Sequence, residues 1–318
     1  MKKKALICGI SGQDGSLLAK FLLEKDYQII GTSRDAQVNS FSNLKRLGIY
    51  QDVFFTSMVP EDFKSVFVAL SKFKPDEVYY LGGQSSVGLS FEQPTETIQS
   101  MLIGTLNILE AIRLFDAPIK FYNAGSSECF GDVGEVAANE NTSFNPRSPY
   151  AVAKASAFWL INNYRDAYKI HACTGILFNH ESPLRHPRFV TKKIIDSAVR
   201  ISNGSSEKLR LGNLKISRDW GWAPEYVEAM WLMLQMEKPD DFIIATGRTS
   251  SLEDFVSLAF GHFNLNWKEY VIQDKDLFRP SDIAVSKADP QKATDILGWK
   301  AKCYLKDIVE KMIKNEIY

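Results

Sequence analysis

The sequence predicts an α/β protein in which a doubly wound parallel sheet carries a smaller, interleaved C-terminal region. Three observations lead there. Short apolar runs alternate with stretches of helical spacing through the first half of the chain, as crossovers between parallel strands require. The runs have little internal polarity, which marks strands covered on both faces. A glycine-rich turn separates the first run from the first helical stretch.

Taken in order, "ALICGI", "YQIIGT", "DVFFT", "EVYYLGG" and "IKFYNAG" read as five strands. Between the last two lies "TLNILEAIRLF", residues 105–115, where Leu106, Leu109, Ile112 and Leu114 are expected to line one helical face. After Pro149, "YAVAKASAFWLINNYRDAY" reads as a long helix leading into a sixth strand, "HACTGILF". Beyond Phe178 the alternation weakens into short elements and loops such as "NHESPLRHPR" and "LFRPSDIAV". The expected division is therefore 1–178, also receiving parts of 213–248, and 179–318, interleaved with it.

At 318 residues the chain can bury a large core with a smaller companion, and its 45% apolar and 24% charged residues are those of a globular protein. Lys plus Arg equals Asp plus Glu at 38 each, so no basic field for nucleic acid exists and any anionic ligand must be held by local arginines. Cys8, Cys129, Cys173 and Cys303 are scattered without a Cys-x-x-Cys pair or a histidine cluster, which predicts neither disulfides nor a metal site and suits a reducing cytoplasm. The basic start "MKKKALICGI" breaks at "GISGQDG" and reads as a first strand, not a signal peptide. No stretch reads as the roughly 18 to 20 apolar residues of a membrane span, so no membrane partner is expected.

Gly9, Gly12 and Gly15 stand in a G-x-x-G-x-x-G spacing between first strand and first helix. Such glycines let backbone turn tightly and approach a pyrophosphate at a helix N-terminus, which predicts a dinucleotide-binding domain over 1–178 and a substrate-binding region over 179–318. At the end of the second strand, "GTSRD" offers Arg34 to a ribose 2′-phosphate, favouring NADP; the adjacent Asp35 keeps NAD open.

Tyr150 and Lys154, in "SPYAVAKA", lie four apart at the start of the long helix, about 6 Å along its axis and on one face. A neighbouring ammonium favours phenolate and is expected to lower the tyrosine toward working pH, making it a base. Ser126 ends the fifth strand beside them. A nicotinamide, this base and a serine hydroxyl suffice to oxidise a secondary alcohol, but "SSECFG" adds Glu128. A carboxylate held over the carbon next to a new ketone can remove its proton and, once protonated, help a neighbouring hydroxyl leave as water. Oxidation, elimination and reduction would then share one site.

At these residues the sequence resembles the extended short-chain dehydrogenase/reductase superfamily, a Rossmann-fold group, and within it the GDP-mannose 4,6-dehydratases. The resemblance covers nearly the whole chain. It rests on "GISGQDGSLLAKFLLEK", "GGQSSVGLSFEQP", "SSECFG", "PRSPYAVAKA", "GILFNHESPLR", "FVTKKI", "LGNLKISRDWG", "YVEAMWLMLQ" and "LFRPSD". It implies bound NADP and conversion of GDP-mannose to GDP-4-keto-6-deoxy-mannose, with Ser126, Glu128, Tyr150 and Lys154 matching the catalytic set. Gly9, Gly12, Gln13, Asp14, Arg34, Gln84, His180 and Arg185 match cofactor contacts, to which the glycine spacing adds Gly15. Ser85, Asn179, Lys193, Arg218 and Arg279 match nucleotide-sugar contacts. This chain departs from the family with Ser126 in place of the usual threonine, "RDAQ" where an Arg-Arg pair is common, Ser57 where an aspartate is expected near the adenine, Leu184 where many relatives have arginine, and "RHPRFV" for a glycine-containing loop. An epimerase or reductase of the same fold, a dehydratase of another nucleotide sugar, and a non-catalytic NADP-binding protein are the alternatives. The apolar faces of the 150–168 helix predict a homodimer or homotetramer.

Overall fold

A computed structural model describes residues 2–115 and 117–317. The six expected strands form where the apolar runs stand, as β1 (Lys4–Cys8), β2 (Gln28–Ser33), β3 (Val53–Ser57), β4 (Glu77–Tyr80), β5 (Lys120–Ala124) and β6 (Ala172–Leu177). The helices among them are α1 (Gln13–Glu24), α2 (Ser42–Arg46), α3 (Phe63–Phe73), α4 (Val87–Glu92), α5 (Pro94–Ile98), α6 (Gly104–Phe115) and α7 (Pro149–Tyr168). Local chemistry starts them: Asp62 accepts from the Lys64 amide to begin α3, and Ser148 accepts from the Ala151 amide, with Pro149 in the first turn, to begin α7.

The rest of the chain forms β7 (Asn179–Glu181), α8 (Val190–Ser202), β8 (Leu209–Leu211), β9 (Ser217–Trp222), α9 (Ala223–Gln235), β10 (Phe242–Ile244), β11 (Thr249–Ser251), α10 (Leu252–Gly261), β12 (Val271–Gln273) and α11 (Leu305–Lys314). The main sheet has the order β10-β6-β5-β4-β1-β2-β3, with every neighbouring pair parallel. One face is covered by α1 and α9 around Leu17, Leu22, Tyr122 and Met230, the other by α3, α6 and α7 around Val66, Ile108 and Ile161. The chain thus leaves the sheet after β6 and returns to it through α9 and β10. A separate core gathers α8, α10 and α11 over β8 and β9. There β9 lies between β7 and β11, and β8 pairs with β12.

Two expectations need correction. Leu114 is 53% exposed; α6 buries Thr105, Ile108, Leu109, Ala111 and Ile112. Residues 105, 108, 109 and 112 follow the i, i+3, i+4, i+7 stripe, and position 114 falls off it, whatever its hydrophobicity. The second concerns length. Residues 94–115 run as one continuous 22-residue helix, joining α5 to α6 through a π-turn at 99–103, so by length and composition alone one helix is long and apolar enough to cross a membrane. It packs on α3 and α7, with Met101, Ile108 and Leu109 buried.

Candidate active site

The glycine turn is fixed by close approach. Gly9 has φ +83°, and a Cβ there would lie 2.8 Å from the Leu81 backbone; one on Gly15 would lie 2.3 Å from the Gly9 carbonyl oxygen. The Gly12 amide donates to that same oxygen at 3.0 Å. Gly12 caps α1 without a side-chain hydrogen bond, leaving the helix N-terminus to an external acceptor. A cradle that any Cβ would fill, in front of an uncapped helix start, fits a dinucleotide pyrophosphate.

Behind the turn, polar contacts fasten α1 to β7. Gln13 Nε2 donates to the His180 carbonyl (3.2 Å) and to Asp14 Oδ1 (2.9 Å), and Gln13 Oε1 accepts from Ser182 Oγ (2.8 Å). His180 is pinned at both nitrogens, Nδ1 to the Phe178 carbonyl (2.7 Å) and Nε2 to Asp14 Oδ2 (3.0 Å), and its ring stacks on Tyr226 at 4.6 Å. Two acceptors at the two ring nitrogens favour the doubly protonated ring. Burial works against both charges of the pair. The attraction and hydrogen bonding between them win, raising His180 and drawing Asp14 down to about 2.

At the end of β5, Ser126 caps a short turn at 127–130, accepting the Glu128 amide at 3.3 Å. Tyr150 and Ser126 line the same cleft, and Lys154 Nζ, 5.9 Å from the Tyr150 ring centroid, donates to the Ala124 carbonyl at 2.6 Å. The expected depression of the phenol does not occur. Burial pushes Tyr150 well above its ordinary value against the smaller pull of Ser126, and lowers Lys154 to about 8. Both groups sit under 10% exposed, where desolvation outweighs attraction across one helical turn.

Facing them, β9 carries Arg218, which is 4% exposed. Its Nη1 donates to the Ser217 and Ile283 carbonyls (3.0 and 2.8 Å), while Nη2 is buried without a hydrogen-bond partner, 3.7 Å from Asp282 Oδ1. Arg279 Nη1 lies 3.9 Å from the same oxygen. Burial lowers Arg218, against the opposing charge of Glu128 across the cleft. A buried guanidinium N–H in search of an acceptor beside a second arginine fits a diphosphate.

One cleft of about 430 Å³ unites these groups, lined by Asp14, Ser126, Glu128, Tyr150, Lys154 and His180 on one side and by Ser85, Asn179, Arg185, Lys193, Arg218 and Arg279 on the other. Lys193 Nζ donates to the Arg210 carbonyl at 2.7 Å, and Arg185 ion-pairs with buried Glu181 at 3.3 Å. Gly9, Gly12 and Gly15 shape the turn beside it. Three side chains lie elsewhere. Gln13 is spent on the contacts above; Gln84 donates to Ser86 O (2.8 Å) and Thr97 Oγ1 (3.2 Å) and accepts the Ser86 amide, bracing its own loop. Arg34 projects at the tip of β2, 70% exposed and 3.2 Å from Glu96. Ser57, close by, accepts the Ala36 amide at 3.0 Å.

The cleft also holds Arg188, Arg210, Glu181, Trp220 and Met101, which sequence reasoning missed. Glu181 carried a signal, as an acid directly after "NH" at the end of an apolar run. Met101 carried none, because the π-turn that presents it has no residue signature. Among the described residues no His, Cys, Asp and Glu cluster could hold a metal, and the four cysteines are free.

The model of the GDP-mannose 4,6 dehydratase family matches residues 6–312. The chain is 44% identical over 328 residues to GDP-mannose 4,6 dehydratase 1 of Arabidopsis thaliana, covering 99% of this chain and 90% of that protein. Among solved structures, dTDP-glucose 4,6-dehydratase from Bacillus anthracis in complex with NAD superposes with a TM-score of 0.84 at 17% identity, covering 98% of this chain and 96% of that one. RMD from Pseudomonas aeruginosa complexed with NADPH does so at 0.81 and 21%, covering 99% and 98%. These two share the fold; the sequence match over the whole length carries the assignment, and the chain belongs to the GDP-mannose 4,6-dehydratase family.

Proposed function

We propose that this chain converts GDP-mannose to GDP-4-keto-6-deoxy-mannose, with NADP held between the glycine turn and Arg34. The observation that carries the reading is that Glu128 shares one cleft with Ser126, Tyr150 and Lys154, opposite buried Arg218 and its unpartnered N–H. Tyr150 takes the proton of the sugar C4 hydroxyl, which Ser126 orients, and gives a proton back at C5 when hydride returns to C6, so that it too ends the cycle unchanged. Lys154, largely protonated at neutral pH with its value near 8, supplies the positive charge one turn away that a phenolate needs. When bound, the dinucleotide supplies hydride removal at C4 and hydride return at C6, so it ends each cycle unchanged. The C4 ketone acidifies the C5 hydrogen; Glu128 removes that proton and passes it to the C6 hydroxyl, which departs as water. Arg218 and Arg279 neutralise the diphosphate, and Asn179, Ser85 and Lys193 fix the rest of the GDP-sugar.

Support for NADP over NAD comes from Asp35, whose Oδ1 is occupied by the Gln37 and Val38 amides (2.9 and 3.3 Å), leaving Arg34 as the one cation at the strand tip. Residues 1–178 with α9 and β10 are assigned to the dinucleotide, and 179–318 mainly to the sugar nucleotide. Val152 and Trp159, 45% and 62% exposed on α7, give a face through which two copies would pair into a dimer, or pairs of dimers into a tetramer. The free cysteines suit a cytoplasmic setting.

The test is mass spectrometry of purified protein with GDP-mannose and no added cofactor, beside other GDP- and UDP-hexoses. Loss of one water from GDP-mannose supports the reading. Water loss only from another sugar moves the substrate, and cofactor turnover without water loss replaces the reading with a reductase.

A further inference from the structure

The tip of β2 contains a charge arrangement that a 2′-phosphate would have to disturb. Arg34 Nη1 lies 3.2 Å from Glu96 Oε1, a contact between groups 62 residues apart in the chain. Glu96 sits on α5, which continues into the long 94–115 helix, so its carboxylate is carried by a fixed element and not by a loop. The residues after Arg34 add no second cation: Asp35, Ala36, Gln37 and Val38 follow, and Asp35 caps its own loop. Arg34, Asp35 and Glu96 together bring one positive and two negative charges to the place where NADP carries its extra phosphate.

We propose that Glu96 sets how strongly this chain prefers NADP over NAD, by competing with the 2′-phosphate for Arg34. A phosphate monoester carries a charge near −1.5 to −2 at neutral pH and seeks the same forked guanidinium edge that a carboxylate occupies. Entering, it must displace Glu96 from Arg34 or lie beside a like charge. NAD presents a neutral hydroxyl there and does neither. Neutralising Glu96 therefore strengthens binding of the phosphorylated cofactor alone. The inference rests on the reading of Arg34 as the 2′-phosphate contact, and the experiment separates the two.

The test is calorimetric titration of cofactor-free protein with NADPH and with NADH, for wild type, Glu96→Gln and Arg34→Gln. Both side-chain changes lie at exposed positions and leave the core untouched. Glu96→Gln is expected to tighten NADPH binding about three- to tenfold at low salt with NADH affinity unchanged, and the gain should shrink at about 1 M salt, where screening acts over roughly 3 Å. Arg34→Gln should remove most of the preference for NADPH. If Arg34→Gln lowers the preference while Glu96→Gln leaves NADPH affinity unchanged or shifts both cofactors equally, Glu96 has no such role and the Arg34 assignment stands. If Arg34→Gln leaves the ratio unchanged, the Arg34 assignment falls and takes this inference with it.

Discussion

Replacing Lys154 by methionine should make the protein more stable at neutral pH while abolishing turnover. Burial lowers Lys154 from 10.5 to about 8, so the folded state holds its ammonium at a cost of about 3 kcal/mol wherever the lysine is charged in both states. Between about pH 8 and 10.5 the unfolded chain binds a proton that the native state has released, and native stability rises with pH across that window. Below pH 8 the whole cost is present. Methionine matches the length of the stem, removes the cost and forfeits the hydrogen bond to the Ala124 carbonyl at 2.6 Å, worth about 1 kcal/mol. The variant should therefore gain about 2 kcal/mol at pH 7 and lose about 1 kcal/mol near pH 10.5. Urea unfolding of both proteins at several pH values reads the difference directly, because other titrating groups cancel. A variant no more stable than wild type at pH 7, or a difference that does not move with pH, would refute the claim that burial dominates at Lys154.

The Asp14–His180 pair has the opposite dependence. Its stabilisation is complete between about pH 4 and 6.5, is lost as pH falls through about 2 where Asp14 protonates, and is lost as pH rises through the elevated value of His180, so the melting-temperature gap between wild type and Asp14→Asn should narrow from pH 6 to 9 in scanning calorimetry. Glu128→Gln should retain dinucleotide binding and lose water elimination by roughly 100-fold or more, read by mass spectrometry of GDP-mannose turnover. Tyr150→Phe should lose roughly 100- to 10,000-fold in turnover with little change in melting temperature, since the ring that packs in the core is kept. Gly15→Ala places a methyl 2.3 Å from the Gly9 carbonyl oxygen and should weaken dinucleotide binding more than about tenfold, whereas Gly134→Ala, at φ +59° with no atom near its Cβ, should cost stability only.

The six parallel strands were legible because a strand buried on both faces must be an apolar run, and nothing in the first 178 residues competes with that pattern. The region after them was not legible to the same degree. β7, β8, β10, β11 and β12 are three residues each, too short for periodicity to register, and β10 pairs with β6 only after a long excursion. Leu114 lies outside the stripe of Thr105, Ile108, Leu109 and Ile112, and the size of an apolar side chain does not override helix phase. In the site, spacing sufficed to pair Tyr150 with Lys154 but could not give their burial, and burial reversed the expected direction for the phenol. The resemblance implies cofactor contacts for Gln13 and Gln84; their side chains hold Asp14, Ser182, Thr97 and nearby backbone, contacts that no one-dimensional pattern reveals.

What the cleft holds is unfavourable for the chain by itself, and the unfavourable terms share a sign. Lys154 is desolvated, Arg218 keeps a buried N–H without an acceptor, and Arg279 stands 3.9 Å from a carboxylate it shares with Arg218. Of the lining acids, Asp14 is engaged by His180 and Glu181 by Arg185, which leaves Glu128 facing Lys154, Arg188, Lys193, Arg210, Arg218 and Arg279. A chain of net charge zero thus concentrates positive charge in one place, with one guanidinium N–H of Arg218 lacking an acceptor. A ligand carrying a diphosphate supplies the missing acceptor at Arg218 and stabilises the fold by the same contact, since whatever binds the native state alone raises its stability. Substrate recognition and the stability cost of the site are, in this cleft, the same electrostatic imbalance before and after binding.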